Sequence, residues 1–208
     1  MRKVSVILGT RPEAIKLSPV ILALREHSEF ESHVCVTGQH NEMLYQILDI
    51  FGIAPDIDLE LMEENQTLAD FTSRAIIALD GYFIKYKPDI VIVQGDTTTV
   101  FAASLVAFYS KIPIGHVEAG LRTHDKYSPY PEEINRVLTT HIAEYHFAPT
   151  ELSKLNLLKE RVPPEHIFIT GNTVIDALYI AISKIRQQQF NIPGLPIGHL
   201  WIKNVNGQ

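Results

Sequence analysis

The sequence contains little sulfur, no long apolar run and no strong excess of charge, and each shortage excludes a class of protein. Its single cysteine, Cys35, permits no internal disulfide and no multi-cysteine zinc site, and it favours a reducing compartment. No apolar run approaches the roughly 18 residues that cross a bilayer, and the first one, Val4–Leu8, is too short for the core of a signal peptide. We therefore predict a cytoplasmic protein with no membrane contact.

The charged side chains are balanced, with 18 basic and 24 acidic residues, a net charge of −6 and no block of like charge. This balance argues against a nucleic-acid surface. Several signatures are also missing, namely G-x-G-x-x-G and G-x-x-x-x-G-K-S/T for nucleotides, G-x-S-x-G for a serine nucleophile, and any zinc-ligand spacing. We expect no metal and no cofactor, and small-molecule or protein partners.

Short apolar runs rich in Val and Ile alternate with segments of helical length, which is the pattern of repeated βαβ units. The predicted strands are Val4–Leu8, His33–Val36, Ile90–Val93, Ile114–Val117, Tyr145–Phe147 and Ile167–Ile169. Because these runs are continuously apolar, both of their faces are expected to be covered. The fold class is α/β, a Rossmann-like parallel sheet with helices on both faces, over residues 1–189, followed by an irregular tail over residues 190–208.

Polar, glycine-bearing loops follow four of the predicted strands, at the sheet edge where open α/β folds bind ligands. Arg11 lies beside a capping box formed by Thr10 and Glu13, so it fits either an anion site or a solvated helix start. Asp96 fits either a functional carboxylate or the N-cap of a helix over 97–110. Glu118 ends an apolar strand just before Ala-Gly, where a cap is unusual, and a functional carboxylate is favoured.

Glu132 and Arg136 stand four residues apart on a predicted helix, a spacing that also suits a plain surface ion pair. Three carboxylates at one sheet edge would nevertheless suit acid and base steps at a sugar carbon. His116 lies within a strand and His141 on the apolar face of its helix, so both are predicted to be core histidines. His40 follows the second predicted strand at a position that a ligand could reach, and whether it has a functional role is left undecided.

Six blocks together resemble the non-hydrolysing UDP-N-acetylglucosamine 2-epimerases, in order and over residues 1–184. These blocks are Leu8–Lys16, Val36–Met43, Gly95–Thr99, Gly115–Thr123, Tyr127–Arg136 and Ile169–Ala177. The resemblance implies the N-terminal domain of a two-domain, glycosyltransferase-B-like fold. It also implies interconversion of UDP-GlcNAc and UDP-ManNAc for surface polysaccharide synthesis, by loss and re-addition of UDP without metal or nicotinamide.

The resemblance assigns roles to individual residues. It implies catalytic carboxylates at Asp96, Glu118 and Glu132, substrate-binding cations at Arg11, Lys16 and Arg136, and a regulatory site at Gln39 and Glu42. It further implies a homodimer or a complementing second chain. The family's second-domain segments of the types G-H-R-R-E, D-S-G-G and Q-E-E-A-P do not occur in the sequence.

A chain without those segments leaves several functions open. It would be one half of a split enzyme, an inactive remnant that binds sugar nucleotides, or, more remotely, a sugar transferase of the same fold. In each case, the surface near Arg11, Asp96 and Glu118 is expected to be exposed, because it would face the missing domain.

Overall fold

The computed structural model of the chain describes residues 1–38 and 41–187, and a seven-stranded parallel sheet runs through them. The strands are β1 Arg2–Leu8, β2 Phe30–Val36, β3 Ile57–Asp58, β4 Ile90–Gln94, β5 Ile114–Val117, β6 Tyr145–Ala148 and β7 Ile167–Ile169. They lie in the order β3-β2-β1-β4-β5-β6-β7. The order reverses between β1 and β4, which is where doubly wound folds form their ligand crevice.

Helices connect the strands. They are α1 Arg11–Glu26, α2 Asn41–Phe51, α3 Leu68–Tyr86, α4 Thr98–Tyr109, α5 Glu132–Ile142, α6 Glu151–Lys159 and α7 Val174–Gln187, with a 3-10 turn at Pro164–His166. Side chains of β1 alternate between two apolar cores, since Ile7 packs with α3 and α4 whereas Val6 and Leu8 pack with α1, α2 and α7. The predicted α/β class with helices on both faces is confirmed.

All six predicted strands are present, and β3 was missed. β3 has only two residues, too few for a periodic pattern to show. No helix in the described ranges is long and apolar enough to cross a membrane. The predicted irregular tail, at 190–208, lies outside the described residues.

Helix α5 buries several polar side chains and exposes some of its apolar ones, which is the opposite of what is usual for an amphipathic helix. Its buried residues include Glu133, Thr139 and Thr140, whereas Ile134 and Leu138 are exposed. His141 is exposed too, so its prediction as a core histidine is wrong. The helix turns its polar side inward because that side completes a polar cluster at the sheet edge, and apolar spacing alone carries no information about such a cluster.

His116 behaves as predicted. It is 1% exposed, and its Nε2 lies 2.7 Å from the carbonyl oxygen of Gly95, to which it donates as the neutral ring. Burial is the main reason why the pKa of His116 falls to about 3. This histidine therefore remains neutral and links β5 to the loop that follows β4.

Candidate active site

Two ion pairs form at the carboxyl edge of the sheet, and they join four of the residues singled out in the sequence. Lys16 Nζ of α1 lies 2.5 Å from Glu118 Oε2, directly after β5. Arg136 Nη2 of α5 lies 2.6 Å from Asp96 Oδ2, after β4. Side-chain exposure is 23% for Lys16 and 11% for Glu118, so that pair is largely shielded while still reaching solvent.

Glu118 sits in an unusual backbone conformation and is held by three donors. Its φ of 65° lies in the left-handed region, which costs a non-glycine residue on the order of 1–3 kcal/mol and often marks a functional position. Besides Lys16, Gln94 Nε2 donates to Oε2 over 2.5 Å and Asn172 Nδ2 donates to Oε1 over 2.8 Å. The neighbouring contacts therefore fix both carboxylate oxygens.

Sequence reasoning pointed to the loops that carry Gln94 and Asn172 but not to the two residues themselves. Gln94 is the last residue of β4 and is 2% exposed, and Asn172 lies in the loop between β7 and α7. An uncharged amide in a polar loop does not by itself indicate a functional residue. The sequence feature that could have indicated Gln94 is its position as a polar residue at the end of an apolar strand.

The surroundings of Asp96 raise its pKa above the ordinary value of an aspartate. Burial is the main cause that raises the pKa of Asp96, and the charges of Glu132 and Glu118 raise it further, against the opposing effect of Arg136. Both other candidate carboxylates therefore lie within electrostatic range of Asp96. The predicted alternative for Asp96 is wrong, because Thr97 is the N-cap of α4 and its side-chain oxygen accepts the N–H of Val100 over 3.3 Å.

Glu132 opens α5, and its Oε2 is buried without a hydrogen-bond partner in the described part of the chain. The alternative of a surface pair between Glu132 and Arg136 is wrong, since Arg136 pairs with Asp96 and, at 3.5 Å, with Glu133. Glu133 was missed by the sequence reasoning. It accepts the backbone N–H of Thr123 over 3.1 Å and so ties the loop after β5 to α5.

The loop between β1 and α1 is braced by a buried carboxylate. Glu13 is 2% exposed and accepts the N–H groups of Gly9 and Thr10 over 2.5 and 2.7 Å. Its other oxygen accepts the Thr97 hydroxyl over 2.6 Å, which joins this loop to the start of α4. Burial raises the pKa of Glu13, and these hydrogen bonds oppose that rise.

The remaining site predictions fall outside the paired cluster. Arg11 is exposed at the start of α1, where its guanidinium lies 3.9 Å from Met43 Sδ. Gln39 and His40 lie outside the described residues. Glu42 belongs to the first turn of α2, but its side chain lies outside the described part. Across 1–38 and 41–187, no group of three His, Cys, Asp or Glu side chains is placed to hold a metal ion.

A known family matches most of the chain. The family described as UDP-N-acetylglucosamine 2-epimerase matches residues 22–194. The chain belongs to this epimerase family.

Individual relatives cover the chain well, but the chain covers only part of each. The UDP-N-acetylglucosamine 2-epimerase of Salmonella typhimurium is 58% identical over 176 residues, which is 85% of this chain and 47% of that protein. The chain also superimposes on the crystal structure of the Neisseria meningitidis UDP-GlcNAc 2-epimerase bound to UDP-GlcNAc, with a TM-score of 0.86 and 54% sequence identity. The superposition covers 89% of this chain and 50% of that one. The chain thus spans about half the length of these epimerases.

A more distant likeness concerns the fold alone. A lipopolysaccharide outer core galactosyltransferase superimposes with a TM-score of 0.58 at 14% identity, over 83% of this chain and 46% of the transferase. This supports the glycosyltransferase-B-like architecture that the sequence motifs implied.

Proposed function

We propose that the chain is the N-terminal half of a UDP-N-acetylglucosamine 2-epimerase, which interconverts UDP-GlcNAc and UDP-ManNAc by inversion at C2. The observation that supports this most is the pairing of Glu118 with Lys16 beside Asp96, whose pKa is raised. Carboxylates in different electrostatic environments suit proton removal and proton return at one carbon. The substrate is inferred from the Neisseria meningitidis relative, whose structure contains UDP-GlcNAc.

The proposed reaction breaks the C1–O bond first, and UDP leaves with the bonding electrons. A carboxylate then takes the C2 proton, and the C–H electrons form the C1=C2 double bond of 2-acetamidoglucal. UDP adds back at C1 while a proton is delivered to the opposite face of C2. Asp96, Glu118 and Glu132 are the candidates for these proton transfers, and Lys16, Arg136 and the exposed Arg11 supply positive charge for the departing diphosphate.

The experiment follows the C2 proton of UDP-GlcNAc by NMR in D2O. We expect deuterium at C2 and formation of UDP-ManNAc with the chain plus a separately expressed second domain from a relative. Glu118→Gln should abolish both signals, whereas Glu165→Gln, a change at an exposed carboxylate on the 3-10 turn, should abolish neither. If the complemented wild-type chain is folded and exchanges no deuterium, the epimerase proposal is wrong.

The same experiment separates the other candidate functions. They are considered because the chain covers only 47% of the Salmonella typhimurium epimerase. A split enzyme is active only in the complemented mixture. A sugar-nucleotide-binding remnant shifts backbone resonances near Glu118 when UDP-GlcNAc is added, yet shows no exchange even when complemented. A sugar transferase would release UDP only when an acceptor sugar is added.

We further propose that two copies of the chain associate through α3, α4 and α5. Each of these three helices carries exposed large apolar side chains, as α6 and α7 also do, namely Ile77 and Ile84 on α3, Phe108 and Tyr109 on α4, and Ile134 and Leu138 on α5. Helices α3 and α5 both pack against α4, so the three helices are adjacent in the fold. Exposed apolar patches of this kind commonly mark protein interfaces.

Light scattering after size-exclusion chromatography tests the association. The wild-type chain should have the mass of a dimer, and Phe108→Glu should give a monomer because a charge would be buried in the contact. Leu152→Glu, at an apolar side chain on α6 that is 67% exposed against 59% for Phe108, should remain dimeric. A wild-type mass of one chain at all concentrations would overturn this part of the proposal.

A further inference from the structure

The amide of Asn172 is oriented by a different hydrogen-bond partner at each of its ends. Its Oδ1 accepts the N–H of Val174 over 3.0 Å, an Asx turn that leads into α7. Its Nδ2 donates to Glu118 Oε1 over 2.8 Å. Exchanging the oxygen and nitrogen would place the oxygen against a carboxylate and break the turn, so the helix start determines which end meets Glu118.

Among the residues that the structure describes, Asn172 is the single hydrogen-bond donor to Glu118 Oε1, whereas Oε2 accepts from both Lys16 and Gln94. Glu118 is thus held from two sides, by α1 through Lys16 and by the β7–α7 loop through Asn172. An amide N–H can only donate. The Asn172 contact therefore fixes the orientation of the carboxylate, with Oε1 as the acceptor.

We propose that Asn172 is a positioning residue that holds the Glu118 carboxylate in the orientation it uses toward substrate. This inference rests on the proposed function for the part that concerns substrate, but the effect on Glu118 is a property of the chain itself. Aspartate forms the Asx turn as well as asparagine does and lacks the donor. The chemistry of the Glu118 contact, rather than the turn, accounts for an amide at this position.

The decisive variant is Asn172→Asp, which retains the turn acceptor, removes the donor and adds a negative charge next to Glu118. Asn172→Ser removes the amide donor without adding charge and retains a shorter acceptor for the turn. Asn65→Asp is the matched control, because Asn65 is exposed in the loop before α3 and receives the same added charge.

The first readout is the carbon-13 chemical shift of the Glu118 side-chain carboxyl at neutral pH, measured on the whole chain and assigned with Glu118→Gln. Both Asn172 variants remove the amide N–H that donates to Glu118 Oε1, and the carboxyl carbon reports that loss. The resonance should therefore move away from its wild-type position in Asn172→Asp and in Asn172→Ser, and it should stay in place in Asn65→Asp.

The second readout is turnover by the complemented chain. We expect Asn172→Asp and Asn172→Ser to lower kcat by at least about tenfold with little change in KM, because the Glu118 carboxylate is no longer held in the orientation that proton transfer requires, and Asn65→Asp to leave kcat unchanged. The positioning proposal is overturned if the Glu118 resonance in both Asn172 variants coincides with that of the wild type. If the resonance moves while the wild-type chain shows no exchange, the positioning inference holds and the proposed function fails.

Discussion

Replacing Arg136 by Met removes the cation that faces Asp96 while nearly preserving the length of the side chain. The Arg136 side chain is 11% exposed and that of Asp96 is 28% exposed, so the pair is mostly shielded from water. Breaking a buried pair costs about 3–5 kcal/mol. The partial exposure of Asp96 reduces the expected loss to about 2 kcal/mol at pH 7.5.

The loss should depend on pH in a specific direction. The pKa of Asp96 in the folded protein is raised, chiefly by burial, so between its unfolded and folded values the native state binds more protons than the unfolded chain. In that window stability falls as pH rises. Without Arg136 the pKa of Asp96 rises further and the window widens. The difference between variant and wild type should therefore shrink as the pH is lowered from 7.5 to 5.

Urea unfolding followed by circular dichroism at pH 7.5 and pH 5 measures this effect. With a slope of about 2 kcal/mol per molar urea, the midpoint of Arg136→Met should fall by about 1 M at pH 7.5 and by clearly less at pH 5. Arg25→Met is the control, because its pair with Asp56 is 4.0 Å long with side chains 35% and 39% exposed and should contribute under about 0.5 kcal/mol. An equal loss for Arg136→Met at both pH values would refute the electrostatic explanation.

Three further predictions concern the surroundings of the site. Gly120→Ala should lower the melting temperature by several degrees in a thermal scan, because φ is 89° and a Cβ would collide with the carbonyl of Ser153; a wild-type melting temperature would contradict this. Cys35 is buried, and burial raises the pKa of its thiol, so its alkylation by iodoacetamide, followed by mass spectrometry, should begin only when urea unfolds the chain. Arg122→Met should cost about 3 kcal/mol in urea unfolding, because the buried Arg122 side chain forms two 2.7 Å bonds to Glu160; a loss below that of Arg25→Met would contradict it.

Strands were predictable to within a few residues because their apolar runs are continuous. The expectation that both faces of every strand are covered is wrong for β7, which lies at the edge of the sheet and exposes Phe168 and Ile169. The short strand β3, at Ile57–Asp58, carries no such run and is held by pairing with β2. The cap of α4 was misassigned because Asp96 and Thr97 are adjacent and both residue types cap helices well. Only their side-chain contacts show that Thr97 forms the cap while Asp96 meets Arg136.

The site was predictable as a set of loops and acidic residues, but its connections were not. Glu118 and Asp96 stood out because each follows an apolar strand, whereas Asn172 is 54 residues from Glu118 and carries no charge. Helix α5 illustrates the same limit. Its apolar residues recur at helical spacing, yet the structure exposes Ile134 and Leu138 and buries Glu133.

The sequence by itself determined the α/β class, the alternation of strands and helices, and the types of residue at the sheet edge. These features depend on local periodicity and on motifs a few residues long. The tertiary structure decided which of those residues meet. Parallel strands bring distant loops to one edge, and there burial and opposite charge select the partners of Glu118 and Asp96. Such pairing is a property of three-dimensional distance, which sequence separation does not encode.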